Sequence, residues 1–303
     1  MKKTKSQSGI TLIALIITIL VLLILAGVAI KSIKDGGIIT KAEQAADKYT
    51  QAQNDELAML DEYTAEILLS QPQIGEVTGL EVGDFIKYGE DLYMVLHNNS
   101  SEGLQIISTQ IKEDLNLKGL DDFENRLQRF KETCAPYVKK SLGAIDGRVP
   151  YYTFNEIKNL TTKEFTLELA NGTNRVLKVY QRKDGANQDE ENNLAIALTK
   201  AMQNNIYFTK DFWLATYSST LGAEAATKDC YLQYLSAQDT TIKKACLATY
   251  SVTDKTITET EETKGILPII LLDSRITIKT TNDAGETLDG STPAKAYEYT
   301  FNK

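Results

Sequence analysis

The longest hydrophobic run of the chain lies near its N-terminus, at residues 10–30, and contains no charged side chain. Isoleucine, leucine and valine would occupy every face of a helix built from this run, so no polar face would remain for water. At about 1.5 Å of rise per residue this helix would be roughly 30 Å long, the thickness of the hydrocarbon core of a bilayer. The pattern therefore predicts a helix that enters a membrane.

Residues 1–9 form a short leader with three lysines, and Lys31 and Lys34 follow the apolar run. An excess of basic residues favours the cytoplasmic side of a membrane, although the two lysines on the far side make the bias modest. The sequence therefore predicts a cytoplasmic N-terminus and an extracellular remainder, on the cell surface or in a pilus.

The chain changes character after the membrane run. Residues 31–69 are predicted to hold a break at Gly36-Gly37 and then a long helical stalk, because apolar residues recur at helical spacing as far as Pro72. Residues 70–81 carry proline and two glycines and are predicted to be a linker. Residues 82–303 are predicted to form the extracellular head.

The head begins and ends with runs typical of strands. Short apolar-rich runs at 84–88, 92–97 and 104–109 are separated by polar turns and predict an antiparallel meander. Helical spacing is predicted at 121–139 and 194–204, on either side of a hairpin that turns at Asn171-Gly172. Further strands are predicted at 212–217, 230–235, 245–252, 266–272, 275–280 and 296–301.

This order of strands, helices and strands predicts an α+β head with a mainly antiparallel sheet. Pro268 lacks a backbone donor, so the strand at 266–272 is predicted to lie at a sheet edge or to contain a bulge.

The junction between leader and apolar run, Ser8-Gly9 followed by ITLIAL, resembles the class III signal of type IV pilins and type II secretion pseudopilins. In that family a prepilin peptidase cleaves after the glycine, here Gly9, and the new N-terminus, here Ile10, is methylated. The resemblance implies that partners include the membrane and other pilin-like subunits. The residues implied in membrane insertion and assembly are Thr11, Leu12, Ile13, Ala14 and Leu15.

Two positions depart from the pilin pattern. Ala14 stands where pilins usually carry a glutamate that neutralises the α-amino group of a neighbouring subunit, and Lys31 stands where many carry a proline. A minor subunit at a filament tip can lack the glutamate. The departures favour, as an alternative, a single-pass anchored binding protein that never enters a filament. A secretory signal peptide cleaved near Ala29 is a further interpretation.

Three motifs of the head, VGDFIKYGEDLYMVL, FWLATYSS and GILPIILLDSRITI, occur in that order. They resemble a poorly characterised extracellular domain that follows pilin-like signals in Gram-positive anaerobes. That resemblance implies a fold related to C-type-lectin-like domains and to the formylglycine-generating-enzyme group. The triplets with which calcium-dependent lectins bind sugar are missing, because Trp213 is followed by Leu214 and Ala215. Trp213 is therefore predicted to lie in the core.

The net charge of the chain is −8, and removing the leader with its three lysines would change it to −11. An acidic exterior argues against nucleic acid as a partner. The acidic clusters at 121–122, 189–191 and 259–262 are interpreted as solvated charge rather than as calcium sites or catalytic carboxylate pairs.

Few residues offer catalytic or metal chemistry. His97 is the only histidine, which disfavours a multi-histidine metal site and a Ser-His-Asp constellation. Cys230 and Cys246 both lie in predicted strands, where they could form one disulfide or remain buried thiols. We therefore expect no enzyme, no catalytic residue, no metal and no cofactor, and an enzyme using His97 or a carboxylate pair is the remaining alternative.

The sequence as a whole predicts a pilin-like, membrane-inserted surface protein, a minor pilin or pseudopilin. Its head would act as a display or adhesion module for an unidentified protein or glycan. The loops expected to carry that binding are 220–228 and 283–292, because each lies between predicted strands.

Overall fold

The computed structural model describes residues 8–34, 38–158, 160–181 and 188–302. The chain divides into two compact units, Met1–Gln71 and Pro72–Lys303. The first unit is helical, and the second contains both sheets and helices; we refer to the second unit as the head.

The first unit contains helices α1 (Ser8–Lys34) and α2 (Ile38–Ser70). The segment Ile13–Lys31 of α1 is long and apolar enough to cross a membrane, and none of it is buried within the structure. The described side chains of α2 are also exposed, among them Tyr49, Leu57 and Leu60. The break predicted at Gly36-Gly37 lies outside the described residues.

The head contains fifteen strands and three α-helices among its described residues. In chain order they are β1 (Phe85–Tyr88), β2 (Asp91–Asn99), β3 (Gly103–Ser108), β4 (Glu113–Lys118), α3 (Gly119–Cys134), β5 (Ala144–Arg148), α4 (Phe154–Lys158), β6 (Thr161–Glu168), β7 (Asn174–Gln181), α5 (Gln188–Gln203), β8 (Phe212–Ser219), β9 (Thr227–Leu235), β10 (Ile242–Ser251), β11 (Thr256–Glu259), β12 (Glu261–Ile266), β13 (Ile269–Leu272), β14 (Ile276–Lys279) and β15 (Glu298–Phe301).

Most strands belong to two sheets. The first sheet has the order β1-β2-β3-β13-β5 and is antiparallel throughout. The second has the order β11-β10-β9-β8-β12-β4, with one parallel pair, β8 and β12. Two further hairpins are formed by β6 with β7 and by β14 with β15. The head is therefore an α+β domain in which antiparallel pairing dominates, as the sequence predicts.

Three apolar clusters hold these layers together. One joins the inner faces of the two sheets to α5, and Met94, Phe212 and Leu194 belong to it. A second covers the other face of the second sheet with α3 and the β6–β7 hairpin. A third covers the other face of the first sheet with the C-terminal hairpin. The first sheet is thus buried on both faces, which explains why β3 is buried at every position.

Trp213 confirms the prediction of a core position. Its side chain on β8 is fully buried, and its indole Nε1 donates a hydrogen bond to the carbonyl oxygen of Leu115 on β4, at 2.9 Å. A buried indole N–H needs such an acceptor, because an unsatisfied donor costs about 1–3 kcal/mol.

The prediction that Pro268 places its strand at a sheet edge is wrong, whereas the alternative of a bulge agrees with a register shift between Leu271 and Leu272 in the pairing of β13 with β5. The predicted run 266–272 is two strands: β12 ends at Ile266 in the second sheet, and β13 begins at Ile269 in the middle of the first. Pro268 lies between them, where no ladder bond from its nitrogen is required. Its carbonyl oxygen accepts a hydrogen bond from the backbone N–H of Ser108, at 2.9 Å.

The segment predicted as a linker, 70–81, also differs from expectation. The head begins at Pro72, and the side chains of Val77 and Leu80 are buried in its core. The side-chain amide of Asn98 donates to the carbonyl oxygens of Val77 and Leu80, at 2.8 and 2.9 Å. These bonds satisfy an irregular backbone that has no strand partner, so residues 72–81 are part of the domain.

Gly265 on β12 permits the close approach of two segments that a larger residue would separate. A Cβ atom there would lie 2.5 Å from Ile111 Cγ2 and 3.2 Å from the carbonyl oxygen of Asp211. We predict that Gly265→Ala lowers the free energy of unfolding by about 1–3 kcal/mol through overpacking, measured by denaturant unfolding.

Gly222→Ala is the matched control, because a Cβ at this position would meet only the Phe165 ring, at 3.8 Å. It should change stability by less than about 0.5 kcal/mol. Equal losses for the two variants would contradict the packing described for Gly265.

Candidate functional site

An open groove of about 530 Å³ lies on the surface of the head. One wall is the segment 109–114, which consists of the connection from β3 to β4 and the first two residues of β4. The other wall is the segment 205–210, which lies between α5 and β8. Sites for small ligands commonly measure about 300–1,000 Å³. The groove is therefore large enough to hold a small molecule or a short piece of a chain-like ligand.

The first wall is fixed to the sheet by hydrogen bonds. Thr109 Oγ1 donates to the carbonyl oxygen of Leu92 on β2, and Ser108 Oγ donates to the carbonyl oxygen of Gln110, both at 2.8 Å. Ile111 packs towards Gly265, where no side chain intervenes. These contacts hold the backbone in place while the side chain of Gln110 stays exposed.

The second wall begins where α5 ends. Asn205 has φ 60°, a left-handed conformation that asparagine tolerates and that stops the helix. The backbone N–H of Ile206 then donates to the carbonyl oxygen of Ala201, at 2.9 Å, and the Phe208 ring lies 5.6 Å from that of Phe212. Between these two anchored residues, Tyr207 is 64% exposed, and no other tyrosine, phenylalanine or tryptophan of the described head is so open to solvent.

Three of the four charged residues that line the groove are in ion pairs. The fourth, Glu113, has no cationic partner among the described residues, and its Oε1 accepts a hydrogen bond from the Tyr137 hydroxyl at 3.4 Å. Lys210 Nζ lies 2.8 Å from Asp114 Oδ2, which joins the two walls. Lys112 Nζ lies 2.7 Å from Asp91 Oδ1, and only 11% of the Lys112 side chain is exposed. The lining therefore presents no free cation to an anionic ligand, and its one charge without an ion pair is the carboxylate of Glu113.

A buried polar cluster lies at the other end of α5. Glu190 is fully buried, and its two carboxylate oxygens accept hydrogen bonds from Arg148 Nη1 and Nη2 at 2.7 and 2.8 Å. His97 Nε2 lies 3.0 Å from Glu190 Oε2, and the Tyr151 backbone N–H donates to Oε1 at 3.0 Å. Arg148 Nη2 also donates to Gln105 Oε1, so the cluster joins α5 to β2, β3 and β5.

The cluster keeps Glu190 ionised. Burial raises the pKa of this carboxyl group, but the charge and hydrogen bonds of Arg148, together with His97, outweigh burial and bring the pKa down from the ordinary 4.5 to about 2. The bidentate geometry is the arrangement in which an arginine best compensates a buried carboxylate.

His97 has both ring nitrogens in use. The Asn193 side-chain amide donates to Nδ1, at 3.3 Å, so Nε2 carries the proton that is donated to Glu190. The imidazole is 3% exposed. In this position it orients the carboxylate, and it has no free nitrogen with which to contact a substrate.

The buried cluster also helps to position the second wall of the groove. Glu190 fixes the first turn of α5 to the first sheet, and Lys200 fixes the last turn through Asp84, with Nζ and Oδ1 3.1 Å apart. The segment that follows α5 is the second wall of the groove, with Tyr207 on it. The position of Tyr207 therefore depends on how α5 is held.

Several residues singled out in the sequence lie elsewhere. Gly9 and Ile10 are in α1, as are the five residues that follow, and Ile13, Ala14 and Leu15 are exposed. The side chains of Ile10, Thr11 and Leu12 lie outside the described residues. The loops 220–228 and 283–292 contribute no lining residue to the groove.

The cysteines of the predicted bridge are both free. Cys230 lies on β9 and Cys246 on the adjacent β10, and neither is bonded to the other. Burial raises the pKa of the Cys230 thiol to about 12, and the neighbouring Cys246 adds to the shift. A disulfide between these strands stays a prediction. Among the described residues, no group of three or more histidine, cysteine or acidic side chains is arranged to hold a metal ion.

The sequence interpretation missed both the groove and the buried cluster. Asp189-Glu190-Glu191 was interpreted as solvated charge, yet Glu190 is buried, because α5 begins six residues earlier than its apolar spacing indicates and turns this one carboxylate inward. The available signal for the groove is the run Ile206-Tyr207-Phe208 between polar residues just after a predicted helix, in which only one of the three can remain exposed while the other two pack inward.

Comparison with known proteins finds no matching family model, no match among curated proteins and no matching solved structure.

Removing the charge of Glu190 should destabilise the head. We predict that Glu190→Gln lowers the free energy of unfolding by about 3–5 kcal/mol, because Arg148 is left as an uncompensated buried charge. Asp189→Asn is the matched control, since Asp189 is the neighbouring acidic residue in the same helical turn and is exposed. A loss below about 1 kcal/mol for Glu190→Gln in urea unfolding would contradict the role given to the cluster.

The same group makes stability depend on pH. The folded pKa of Glu190 is about 2 and its ordinary value is 4.5, so its contribution is complete above pH 4.5 and is lost as pH falls towards 2. The full contribution corresponds to about 3 kcal/mol. We predict that the stability difference between the unsubstituted protein and Glu190→Gln shrinks over this window, because a protonated glutamate resembles glutamine. A difference that stays constant down to pH 2 would contradict the lowered pKa.

Proposed function

We propose that this chain is a membrane-inserted surface protein of the pilin-like class, in which α1 is the anchor and assembly element and the head is a display or adhesion module. The observation that carries the proposal is α1 itself. It is a membrane-length helix whose apolar side chains are exposed on every face, and it follows a leader that resembles a class III signal.

The proposed topology follows from charge. The leader carries three lysines and no acidic residue, which favours a cytoplasmic N-terminus. The head would then lie outside the cell. Its acidic composition suits a soluble exterior domain and gives no support to binding of nucleic acid.

Two outcomes of membrane insertion remain candidates. Assembly into a filament is supported by the resemblance at Ser8-Gly9 and by the open surface of α1, which other pilin-like subunits could cover. A single-pass anchored binding protein is supported by Ala14, since it lacks the carboxylate that would neutralise a neighbouring α-amino group in an apolar environment. A minor subunit at a filament tip satisfies both observations.

The role of the head as a binding module is supported by the groove. Two firmly held walls enclose an open space that contains an exposed aromatic residue, and the ligand is an external protein or glycan. The finer interpretation of the fold as C-type-lectin-like rests on the sequence motifs, with which the mixture of helices and mainly antiparallel strands is compatible.

Cleavage by a prepilin peptidase tests the proposal. Co-expression of the full chain with this enzyme should remove residues 1–9, and intact-mass measurement of the protein recovered from membranes should show the loss, together with one methyl group on Ile10. Gly9→Val should stay uncleaved, because the resemblance makes the glycine the residue after which the chain is cut.

An unchanged mass in the presence of an active peptidase would eliminate the pilin-like route and leave the single-pass anchor. Cleavage after Ala29 would reduce α1 to an export signal and contradict both. If cleavage occurs, Ala14→Glu should increase incorporation into filaments relative to the unsubstituted chain, measured as the fraction of protein in sheared filaments.

A further inference from the structure

We propose that the groove between segments 109–114 and 205–210 binds a neutral oligosaccharide. This inference deepens the proposed function of the head and rests on its role as a binding module. Tyr207 would stack on a sugar ring, and the uncharged polar side chains around it would bind hydroxyl groups. The binding would need no calcium, in keeping with the missing lectin triplets.

The first argument is the position of Tyr207. Its ring is 64% exposed at the edge of an open groove, although its neighbours Ile206 and Phe208 pack into the core. Because the residues on either side of Tyr207 are anchored, its ring stays exposed to solvent. The ring offers a flat apolar surface with a polar hydroxyl group at its end. The C–H face of a pyranose ring is also flat and apolar, while its edge carries hydroxyl groups. The two surfaces are complementary.

The second argument is the set of polar side chains beside Tyr207. Gln110, Asn205 and Thr209 line the groove and are exposed, and their side chains make no hydrogen bond within the described residues. An amide offers one acceptor and two donors, so it can bond two adjacent hydroxyl groups of a sugar at once. Gln110 lies on one wall and Asn205 on the other, so a ligand between them can be bonded from both sides.

The third argument is charge. Lys112 and Lys210 are each paired with an aspartate at less than 3 Å, so the groove offers no free cation to a phosphate, a sulfate or an acidic peptide. The groove is open and its lining is mainly polar, with one exposed aromatic residue. These features together favour a neutral, hydroxyl-rich ligand.

The test is titration calorimetry on the full chain in lauryldimethylamine oxide, a detergent without a sugar head group. The probes are five neutral hexasaccharides: cellohexaose, maltohexaose, chitohexaose, mannohexaose and xylohexaose. We expect at least one of them to bind saturably, and Tyr207→Ala to weaken that binding at least tenfold. The affinity of Tyr207→Phe should stay within about threefold of that of the unsubstituted chain, because the stacking face is kept.

Tyr49→Ala is the matched control, since Tyr49 is an equally open tyrosine on α2, at 73% exposure. It should leave sugar binding unchanged. Gln110→Ala and Asn205→Gly should each weaken binding at least threefold, and the glycine retains the left-handed backbone that position 205 requires. Far-ultraviolet circular dichroism melts should be unchanged for all groove variants, because the substituted side chains are exposed.

Three results would overturn the inference: no binding of any hexasaccharide at millimolar concentration, equal binding by Tyr207→Ala, or loss of binding on adding a calcium chelator. Capture of a member of a defined peptide array, lost in Tyr207→Ala while no sugar binds, would assign the groove to peptides and also overturn it. These results leave the proposed function standing when the same chain is membrane-inserted and cut after Gly9. If the chain binds sugar but is not cut after Gly9, the inference about the groove stands and the pilin-like route fails.

Discussion

The rest of this molecule depends on how the apolar surface of α1 is covered. From Ile13 to Ile30 its large aliphatic side chains are 48–67% exposed within the structure. Burying one such side chain is worth about 1.5–3 kcal/mol, so leaving the whole helix in water would cost roughly tens of kcal/mol. A folded domain is stable by only about 5–15 kcal/mol. No folding energy of the head could offset that cost, which supports the proposal that α1 lies in lipid or against the apolar helices of other subunits.

Within the head, one buried ion pair has a comparable organising role. Glu190 and Arg148 are both charged and both out of water, and each is tolerable only because the other is in bidentate contact. Their bond joins the start of α5 to the first sheet, and the end of α5 leads directly into the groove wall that carries Tyr207. The buried ion pair of Glu190 and Arg148 and the proposed binding surface are therefore connected through α5.

Much of the secondary structure could be predicted from the sequence, because periodicity and turn residues act locally. The meander β1–β3, the β6–β7 hairpin and the strands β8 to β10 were all expected near their observed positions. The strands β4, β5, β11 and β12 were missed, since they are short and their pairing is set by distant partners. The edge position predicted from Pro268 is wrong for the same reason: proline interrupts the strand locally, but only the tertiary structure shows that the chain passes from one sheet to the other there. These side-chain contacts of the buried cluster join residues 42 to 93 positions apart in sequence, and no local pattern indicates that.

The most direct test of this account is labelling of intact cells with a membrane-impermeant maleimide, at cysteines placed on either side of α1. The natural thiols are poor targets, because Cys134 and Cys230 are buried and burial raises the pKa of each to about 12; substituting the half-buried Cys246 with serine reduces the background further. The account predicts that Glu286→Cys, in an exposed loop of the head, is labelled in intact cells. Lys3→Cys, placed in the Gly9→Val background so that the leader is retained, should be labelled only after the membrane is permeabilised. Labelling of Lys3→Cys in intact cells, with Glu286→Cys protected, would contradict the proposed topology.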